Sequence, residues 1–493
     1  MWIAYLLKRR IPILAVFGFV LGAYLLSSAA AQQGARKLEG AEASRHVLTR
    51  LAFGPRPREV VDVLRMGWRQ WVEQQLHPEE IKDAATEKLI AEKCPTLSMS
   101  LSELQGLDKP GNQDRDERTR VKNELRDAVL LRAVHSERQF QEVIVDFWRN
   151  HFNVDVNKVP FLATNYEETV LRKHAFSKFE DLLLATAQHP AMLVYLDNYV
   201  SRGGGLNENY ARELMELHTV GVDNGYVQED VINLARVLTG WTCGWQDGRG
   251  NDREYKFFFN ASVHDSDPAK VIALELDGTG SMADGEKAVR YLANHPNTAR
   301  FICTKLCRYL VTDNPPPELI DGVSGIYEDS GGDLREVYRA IILSPHFMDP
   351  KYFRVKFRTP LEYTVSVLRT TAAQIESTDS VHRELKLMGE PIYEHVEPTG
   401  YSDLREAWLD PGVMVYRWNF AIQLVTDKMK GVKVGPEFAE LVQKQKQGAQ
   451  PKKVMEMFLP GVIDPTTEKL VASTTDIRAM VALALGSPGY QQQ

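Results

Sequence analysis

The sequence predicts a mainly α fold: one large multi-helical domain with a small β-hairpin-like insertion. Apolar residues recur at helical spacing along most of the chain. The 493 residues are 44% hydrophobic and 25% charged, which is typical of a globular protein. At about 150 residues per domain the length allows roughly three domains. However, no Ser- or Pro-rich linker divides the chain, and this favours a single domain over three.

The first 31 residues have the layout of a secretory signal peptide. Lys8, Arg9 and Arg10 precede an apolar run of 16 residues at 11–26, and small residues follow at 27–31. The apolar run is shorter than the about 20 residues that span a membrane as a helix. We therefore expect a cleaved signal, with a retained N-terminal anchor as the alternative. The mature domain at 32–490 is then periplasmic or secreted.

Charge and cysteine content exclude some classes of protein. The net charge is −7, and removal of the signal deletes three positive charges and no acid, which leaves −10. An acidic chain argues against nucleic acid as the main partner. Four cysteines are too few for a disulfide scaffold. Cys303 and Cys307 stand four residues apart in a predicted helix, a spacing that favours core packing over a disulfide.

The first half of the mature chain predicts helices at 58–76, about 117–135 and 137–153. The third is the most clearly amphipathic, and it places Trp148 and His151 on one apolar face. A buried histidine on such a face is more often a hydrogen-bonded core residue than a ligand.

The middle of the chain predicts a helix at about 208–220 that ends at Gly221, and a second helix at about 230–240. Residues 242–286 are rich in Gly and Asp and predict a β insertion. Its strand-like runs cover residues 255–259 and 271–276, and a turn at 278–280 follows. Further helices are predicted at about 284–295, 297–312, 316–329, 333–343, 360–374, 413–429, 435–446, 451–458 and 474–486, with an irregular loop at 388–412.

Well-known catalytic motifs such as H-E-x-x-H, G-x-S-x-G and the P-loop are missing from the sequence. The strongest candidate site is therefore the polar helix at 208–218. At 100° per residue Glu208, Arg212 and Glu216 form one stripe, with Asn209 and Glu213 beside it. Such carboxylates can transfer protons or bind a metal. Alternatively, they form ion pairs with Arg212 on a solvated helix face.

Two further pairs are candidates. His264 and Asp265 follow a predicted strand in a loop, where functional residues are common, although a solvated turn is the alternative. His46 and Arg50 are four residues apart in the first mature helix and could face a pocket. Alternatively they cap and solvate that helix.

In order along the chain these segments resemble a large bacterial family known as domain of unknown function 1800. The resemblance extends from about Ala43 to Tyr490, and the N-E-N-x-A-R-E-L block is its most specific part. The matching blocks are His46-x-x-x-Arg50-x-x-Phe53-Gly54-Pro55, Phe147-Trp148-x-x-His151-Phe152, Pro190-Ala191-Met192-x-x-Tyr195-Leu196-Asp197, Asn207-Glu208-Asn209-x-Ala211-Arg212-Glu213-Leu214-Met215-Glu216-Leu217, Asp230-Val231, Leu238-Thr239-Gly240-Trp241, His264-Asp265, and Gly400-Tyr401 before Trp408.

The resemblance implies an exported, mostly helical protein whose gene tends to neighbour that of an exported sulfatase-like protein. It implies no established reaction. Two positions depart from the family pattern. Arg149 stands where a smaller or polar residue is expected, and Ser487-Pro488-Gly489-Tyr490 stands where the family usually has S-P-E-F.

We therefore favour an exported enzyme, with divalent metal as its one candidate cofactor, that acts on cell-surface or extracellular polymer. The alternative is a non-catalytic partner or assembly factor for an exported sulfatase-like protein. The candidate catalytic residues are Glu213, Glu216, Arg212 and His151. The candidate substrate-binding residues are Trp148, Asn209, Trp241, Arg50 and His46. The candidate metal ligands are His151, Glu208, Glu213, His264 and Asp265.

Overall fold

A computed structural model describes residues 37–108, 112–244, 255–445, 451–459 and 465–493. The predicted signal peptide and part of the predicted β insertion lie outside these residues. Within them, no helix is both long enough and apolar enough to cross a membrane.

The mainly α prediction is confirmed: the chain is 62% helical. In the described part, the 23 α-helices are α1 (Gly40–Arg50), α2 (Glu59–Met66), α3 (Trp68–Leu76), α4 (Ala84–Lys93), α5 (Leu101–Leu107), α6 (Asn112–His135), α7 (Gln139–His151), α8 (Pro160–Tyr166), α9 (Phe179–Gln188), α10 (Pro190–Tyr195), α11 (Asn209–Glu213), α12 (Gln228–Val237), α13 (Met282–Ala293), α14 (Pro296–Leu310), α15 (Pro317–Ser330), α16 (Leu334–Leu343), α17 (Pro360–Thr370), α18 (Asp379–Leu387), α19 (Pro411–Val425), α20 (Pro436–Gln445), α21 (Pro451–Phe458), α22 (Pro465–Ala472) and α23 (Ile477–Leu485).

Strands are short and pair two by two. The antiparallel pairs are β1 (Trp241–Cys243) with β2 (Phe257–Phe259), β3 (Ala269–Val271) with β4 (Leu274–Leu276), and β5 (Gln374–Ile375) with β6 (Val432–Lys433).

The predicted single strand at 271–276 is wrong, because the chain turns back within it. Ile272 has a φ of 57° and begins a two-residue turn, so that Val271 pairs with Leu274. A two-residue hairpin turn needs positive φ, which β-branched residues seldom adopt, so composition gave no turn signal here.

The described residues group into two compact units. The first unit contains the residues up to 71, together with 345–390 and 404–493. The second unit contains 72–344 and 391–403. Both units combine segments that are far apart in the chain, and the single-domain organisation stays a prediction.

The predicted helix at 58–76 is two helices, α2 and α3. Gly67 separates them with a φ of 90°, a left-handed conformation that ends α2. The apolar periodicity continues on both sides of the glycine, which is why the sequence predicts one helix.

Two helix starts in the second unit use histidine as the capping residue. In His189-Pro190 and His295-Pro296 the imidazole Nδ1 accepts the backbone N–H two residues later, at 3.1 and 3.2 Å. Proline at the first helical position suits a start because its missing N–H would have no partner there.

Two stretches of the second unit are π-helical. One covers Glu167–Arg172 and follows α8, and the other covers Leu214–His218 and follows α11. The predicted α-helix at 208–220 is therefore correct only for its first part. Single π turns are rare in proteins overall, and many of those that do occur lie at functional sites.

The four cysteines are buried free thiols. Cys303 and Cys307 both lie on the buried face of α14 with Leu306 and Leu310. This arrangement agrees with the predicted core packing.

Candidate functional site

The carboxyl end of α7 in the second unit holds a buried histidine next to a lysine. His151 Nδ1 accepts a hydrogen bond from Lys305 Nζ at 3.1 Å, and its Nε2–H donates to the His218 carbonyl oxygen at 3.3 Å. Burial, with Lys305 nearby, holds the pKa of His151 well below its ordinary value. His151 is therefore a neutral imidazole whose tautomer is fixed by both neighbours.

Lys305 lies half-buried on α14. Burial lowers its pKa, Asp403 opposes this effect and Arg308 adds to it. A lysine with a lowered pKa releases its proton more readily, and for that reason such lysines are common proton-transfer groups.

His218 ends the π segment and is fully buried. Its ring lies 5.9 Å from that of His151, and neither ring nitrogen has a hydrogen-bond partner among the residues described. Burial and the charge of Lys305 lower the pKa of His218 to about 3. Buried polar side chains without a hydrogen-bond partner are uncommon in native proteins. A contribution to stability therefore does not explain why a histidine stands at this position.

Glu213 lies at the junction between α11 and the π segment, and it is half-buried. Burial and the neighbouring Glu216 raise its pKa, although Arg212 opposes them. Within the described ranges its carboxylate makes no hydrogen bond or ion pair. A half-buried carboxyl group with a raised pKa and no partner is available to hold and release a proton.

Tyr195 lies near Glu213 at the end of α10. Burial and then Asp155 raise the pKa of its phenol, and Glu213 contributes to the same shift. The phenol donates to the Val396 carbonyl oxygen at 2.7 Å and accepts a weak hydrogen bond from Asn153 Nδ2 at 3.4 Å. Tyr195 therefore binds residues 391–403 and lies close enough to Glu213 to feel its charge.

Two asparagines near the end of α7 fasten residues 391–403 in place. Asn153 Nδ2 donates to the carbonyl oxygens of His395 and Glu397 at 3.0 and 2.9 Å. Asn150 accepts the Tyr401 N–H at 2.7 Å and donates to the Tyr401 carbonyl at 2.8 Å. The partners of both asparagines lie in the segment that the sequence predicts as an irregular loop.

The other carboxylates of the predicted polar helix make surface ion pairs. Arg212 contacts Glu208 at 3.3 Å and Glu216 at 3.4 Å, and Gln228 bonds to Arg212 and Glu208 at 2.8 Å each. The side chains of Arg212 and Glu208 are both 36% exposed. These are the ion pairs of the alternative interpretation. Asn209 is exposed and donates to the Leu196 carbonyl at 3.2 Å.

His264 and Asp265 both bind α12 and the turn that follows it. His264 Nδ1 lies 2.8 Å from the Thr239 carbonyl oxygen, and the Asp265 N–H donates to the Thr239 hydroxyl at 2.8 Å. The Asp265 carboxylate accepts two hydrogen bonds of 3.0 Å from Arg236. The pair anchors the β insertion to a helix. The contacts of the described residues do not join it to His151 or Glu213.

The two candidate tryptophans are fully buried. Trp148 Nε1 donates to the Tyr338 hydroxyl at 2.7 Å, which leaves the indole no polar atom for a ligand. Trp241 packs so closely on Gly285 that a Cβ there would lie 2.6 Å from the indole. Both placements favour core packing.

His46 and Arg50 lie in the first unit, and both are buried. His46 Nε2 donates to the Phe347 carbonyl oxygen at 2.8 Å. Burial and Arg50 lower the pKa of His46 to about 3, and the hydrogen bond only partly opposes them. His46 is therefore a neutral residue that joins α1 to the segment after α16.

A set of metal ligands is missing among the residues described: no three His, Cys, Asp or Glu side chains converge on one point. The nitrogen atoms of His151 bond to Lys305 and His218, and Asp265 bonds to Arg236. The metal hypothesis thus rests on residue types alone.

Sequence reasoning missed Lys305 and Tyr195 as site residues. Nothing marked Lys305, because the buried positions of α14 recur at ordinary helical spacing on either side of it. Tyr195 belongs to a motif block, yet a tyrosine at the end of a short helix gave no sign that it would meet residues two hundred positions away.

Comparison with known proteins gives one match. The chain matches no curated protein and no solved structure. The family model described as "Protein of unknown function (DUF1800)" matches residues 46–492. Because the match covers nearly the whole chain, the protein belongs to this family.

Proposed function

We propose that the protein is an exported enzyme that acts on cell-surface or extracellular polymer, and that Glu213 is its proton-transferring group. The observation that carries the proposal is the state of Glu213, a half-buried carboxyl group with a raised pKa and no hydrogen-bond or ion-pair partner among the described residues. Polar groups that serve only structure are normally paired, whereas an acid-base group must remain free for its substrate.

The surroundings of Glu213 suit this role. Glu216 lies close by and disfavours a second negative charge, so that Glu213 holds its proton to a higher pH. Tyr195 contributes a phenol nearby, and the buried His151 and His218 form a second group of perturbed residues with the half-buried Lys305 in the same unit. Clusters of perturbed groups are characteristic of catalytic sites.

The test compares two glutamates of one polar stretch. With soluble extracellular polysaccharides as substrates, Glu213→Gln is expected to lose about 100-fold or more in kcat, the usual contribution of a general acid or base. Glu208→Gln removes only a half-exposed ion pair and is expected to stay within about twofold of the parent. Wild-type activity in Glu213→Gln would overturn the proposed role.

Export is tested separately. Expression with the native N-terminus in a bacterium is expected to yield a periplasmic or secreted protein whose mass lacks the first 31 residues. A cytoplasmic chain that keeps these residues would contradict the proposal.

A partner or assembly function is the second candidate. Apolar side chains flank the polar helix and face solvent: Val222 is 60% and Val227 is 64% exposed. A contact with another protein would remove such apolar side chains from water. If this function applies, Val222→Asp with Val227→Asp abolishes co-purification of an exported partner, for which a sulfatase-like protein is the expectation, while Glu213→Gln does not.

A further inference from the structure

The first unit contains a cavity of about 250 Å³ that is lined by five arginines. They are Arg45 on α1, Arg56 and Arg58 before α2, and Arg354 and Arg358 before α17. No Asp or Glu is among the described residues that line it. This site is distinct from the one that contains Glu213, which belongs to the second unit.

The described residues that line this cavity include arginines but no carboxylate. A polar cavity in the second unit offers a comparison, because its Arg172 and Arg132 are paired with Glu142 and Glu168. There, Glu142 raises the pKa of Arg172 despite its burial. In the first unit burial, and then the charge of Arg358, lower the pKa of Arg354 to about 10.

Backbone strain accompanies the arginines. Arg58 has a φ of 71° and Arg354 a φ of 57°, a left-handed conformation that is costly for arginine. Strain of this kind persists where surrounding structure imposes it and is frequent at ligand sites. Here it places two guanidinium-bearing residues at the wall of one cavity.

Hydroxyl groups and apolar surface complete the lining. The Tyr490 hydroxyl lies 3.0 Å from Ser366 Oγ and 2.9 Å from Thr370 Oγ1, so three hydroxyls meet at the cavity. Arg358 donates to the Tyr490 carbonyl and its guanidinium lies 4.7 Å from the centre of the Tyr490 ring. Val61 and Met457, both 40% or more exposed, add an apolar part.

We propose that this cavity binds a small organic molecule that carries a phosphate or sulfate group on an apolar body. Arginine donates paired hydrogen bonds that match the oxygen atoms of such groups, and the hydroxyls can donate to further oxygens. Several positive charges with no lining carboxylate favour a tetrahedral oxyanion over a single carboxylate. The apolar lining accommodates the rest of the molecule.

The test measures binding of phenyl phosphate and phenyl sulfate to the full chain by titration calorimetry, with benzoate and phenol as comparison probes. We expect saturable binding of at least one ester, weaker binding of benzoate and none of phenol. The better ester identifies the group that the cavity prefers. Equal affinity for benzoate or phenol, or no binding of either ester, would overturn the proposal.

Variants tie binding to the cavity. Arg45 and Arg58 make no side-chain hydrogen bond or ion pair within the described residues, so their replacement leaves no partner behind. Arg45→Gln and Arg58→Asn are each expected to raise the Kd of the preferred ester about tenfold, the effect of one lost charged contact. Asparagine tolerates the left-handed backbone at position 58.

Arg65→Gln is the matched control, because Arg65 lies on α2 outside the cavity with a side chain that is 77% exposed. Its Kd is expected to equal that of the parent. If Arg45→Gln and Arg58→Asn bind as tightly as Arg65→Gln, the ester does not occupy this cavity.

Discussion

Individual ion pairs in the second unit differ in how much they stabilise the fold, because they differ in burial. Arg149 and Glu167 form a two-point contact of 2.8 and 3.2 Å with Glu167 fully buried, and Tyr393 donates to the same carboxylate at 2.6 Å. Burial alone would raise the pKa of Glu167, but Arg149, Arg172 and the Tyr393 hydrogen bond together outweigh burial, and the pKa is lowered. The half-exposed contact between Arg212 and Glu208 is a surface pair by comparison.

Glu167→Gln is expected to lower the free energy of unfolding by about 3 kcal/mol, because it leaves the buried Arg149 with Asp146 as its one ionic partner among the described residues. Glu208→Gln, at the exposed pair, is expected to cost less than about 1 kcal/mol. Urea denaturation of both variants measures the loss of free energy of unfolding in each. Similar losses in the two variants would show that burial does not decide how much these ion pairs stabilise the fold.

Arg149 also shows what residue types can predict. The sequence shows an arginine on a mostly apolar helix but does not show its partners. The structure pairs Arg149 with Glu167, eighteen residues away on the π segment, and Tyr393 from a distant part of the chain donates to the same carboxylate. Likewise, residue types do not show that Asn150 bonds to Tyr401, or that Asn153 bonds to the carbonyl oxygens of His395 and Glu397.

At the scale of elements, the loop at 391–403 depends on one glycine. Gly400 has a φ of 68°, and a Cβ there would lie 2.3 Å from the Asn150 carbonyl oxygen. Only glycine allows the backbone to approach the end of α7 closely enough for both Asn150–Tyr401 hydrogen bonds. The loop carries the carbonyl oxygens that bind Asn153 and Tyr195.

Gly400→Ala is expected to destabilise the second unit by about 2 kcal/mol or more. The free-energy cost of a positive φ at alanine adds to the cost of the close contact that its Cβ would make. The segment should detach first, so proteolysis near the exposed Val396 is expected to accelerate. Gly204→Ala serves as the control, because a Cβ there meets nothing within 4 Å. Equal protease resistance of the two variants would contradict this account.

Local signals placed element boundaries only approximately. Gly221 has a φ of 94°, which suits a residue that follows a helix, but the polar stretch already ends at His218. The π turns and the histidine caps were not predictable, because the former depend on tertiary packing and histidine is not among the usual capping residues.

For the molecule as a whole, buried histidines set the response to acid. The pKa values of His46, His189 and His218 are each lowered to about 3, chiefly by burial. The unfolded chain takes up these protons near pH 6.5, whereas the folded chain does so only near pH 3. Their effect is therefore absent above about pH 6.5, and stability is lost as the pH falls from there towards 3.

Below about pH 6, each such histidine is expected to lower the free energy of unfolding by about 1.4 kcal/mol per pH unit. Urea midpoints at pH 7.5 and 5.5 measure the loss. His189→Asn keeps a hydrogen-bond acceptor at the helix start and removes the group that takes up a proton. The free energy of unfolding of this variant is therefore expected to fall less steeply with pH, by the equivalent of about one proton. A parent protein equally stable at both pH values would contradict the burial of neutral histidines.

The sequence by itself determined the mainly α class, the family, and most helix positions, because helical periodicity and capping act over a few residues. Tertiary structure alone decided which polar residues are free. It paired Glu208 and Glu216 with Arg212 and brought Lys305 to His151, and among the described residues it gave Glu213 no partner. In the first unit it buried His46 and Arg50 and placed their neighbour Arg45 at the cavity. Burial, charge and hydrogen bonding depend on neighbours that are distant in the chain, and only the folded chain brings those neighbours together.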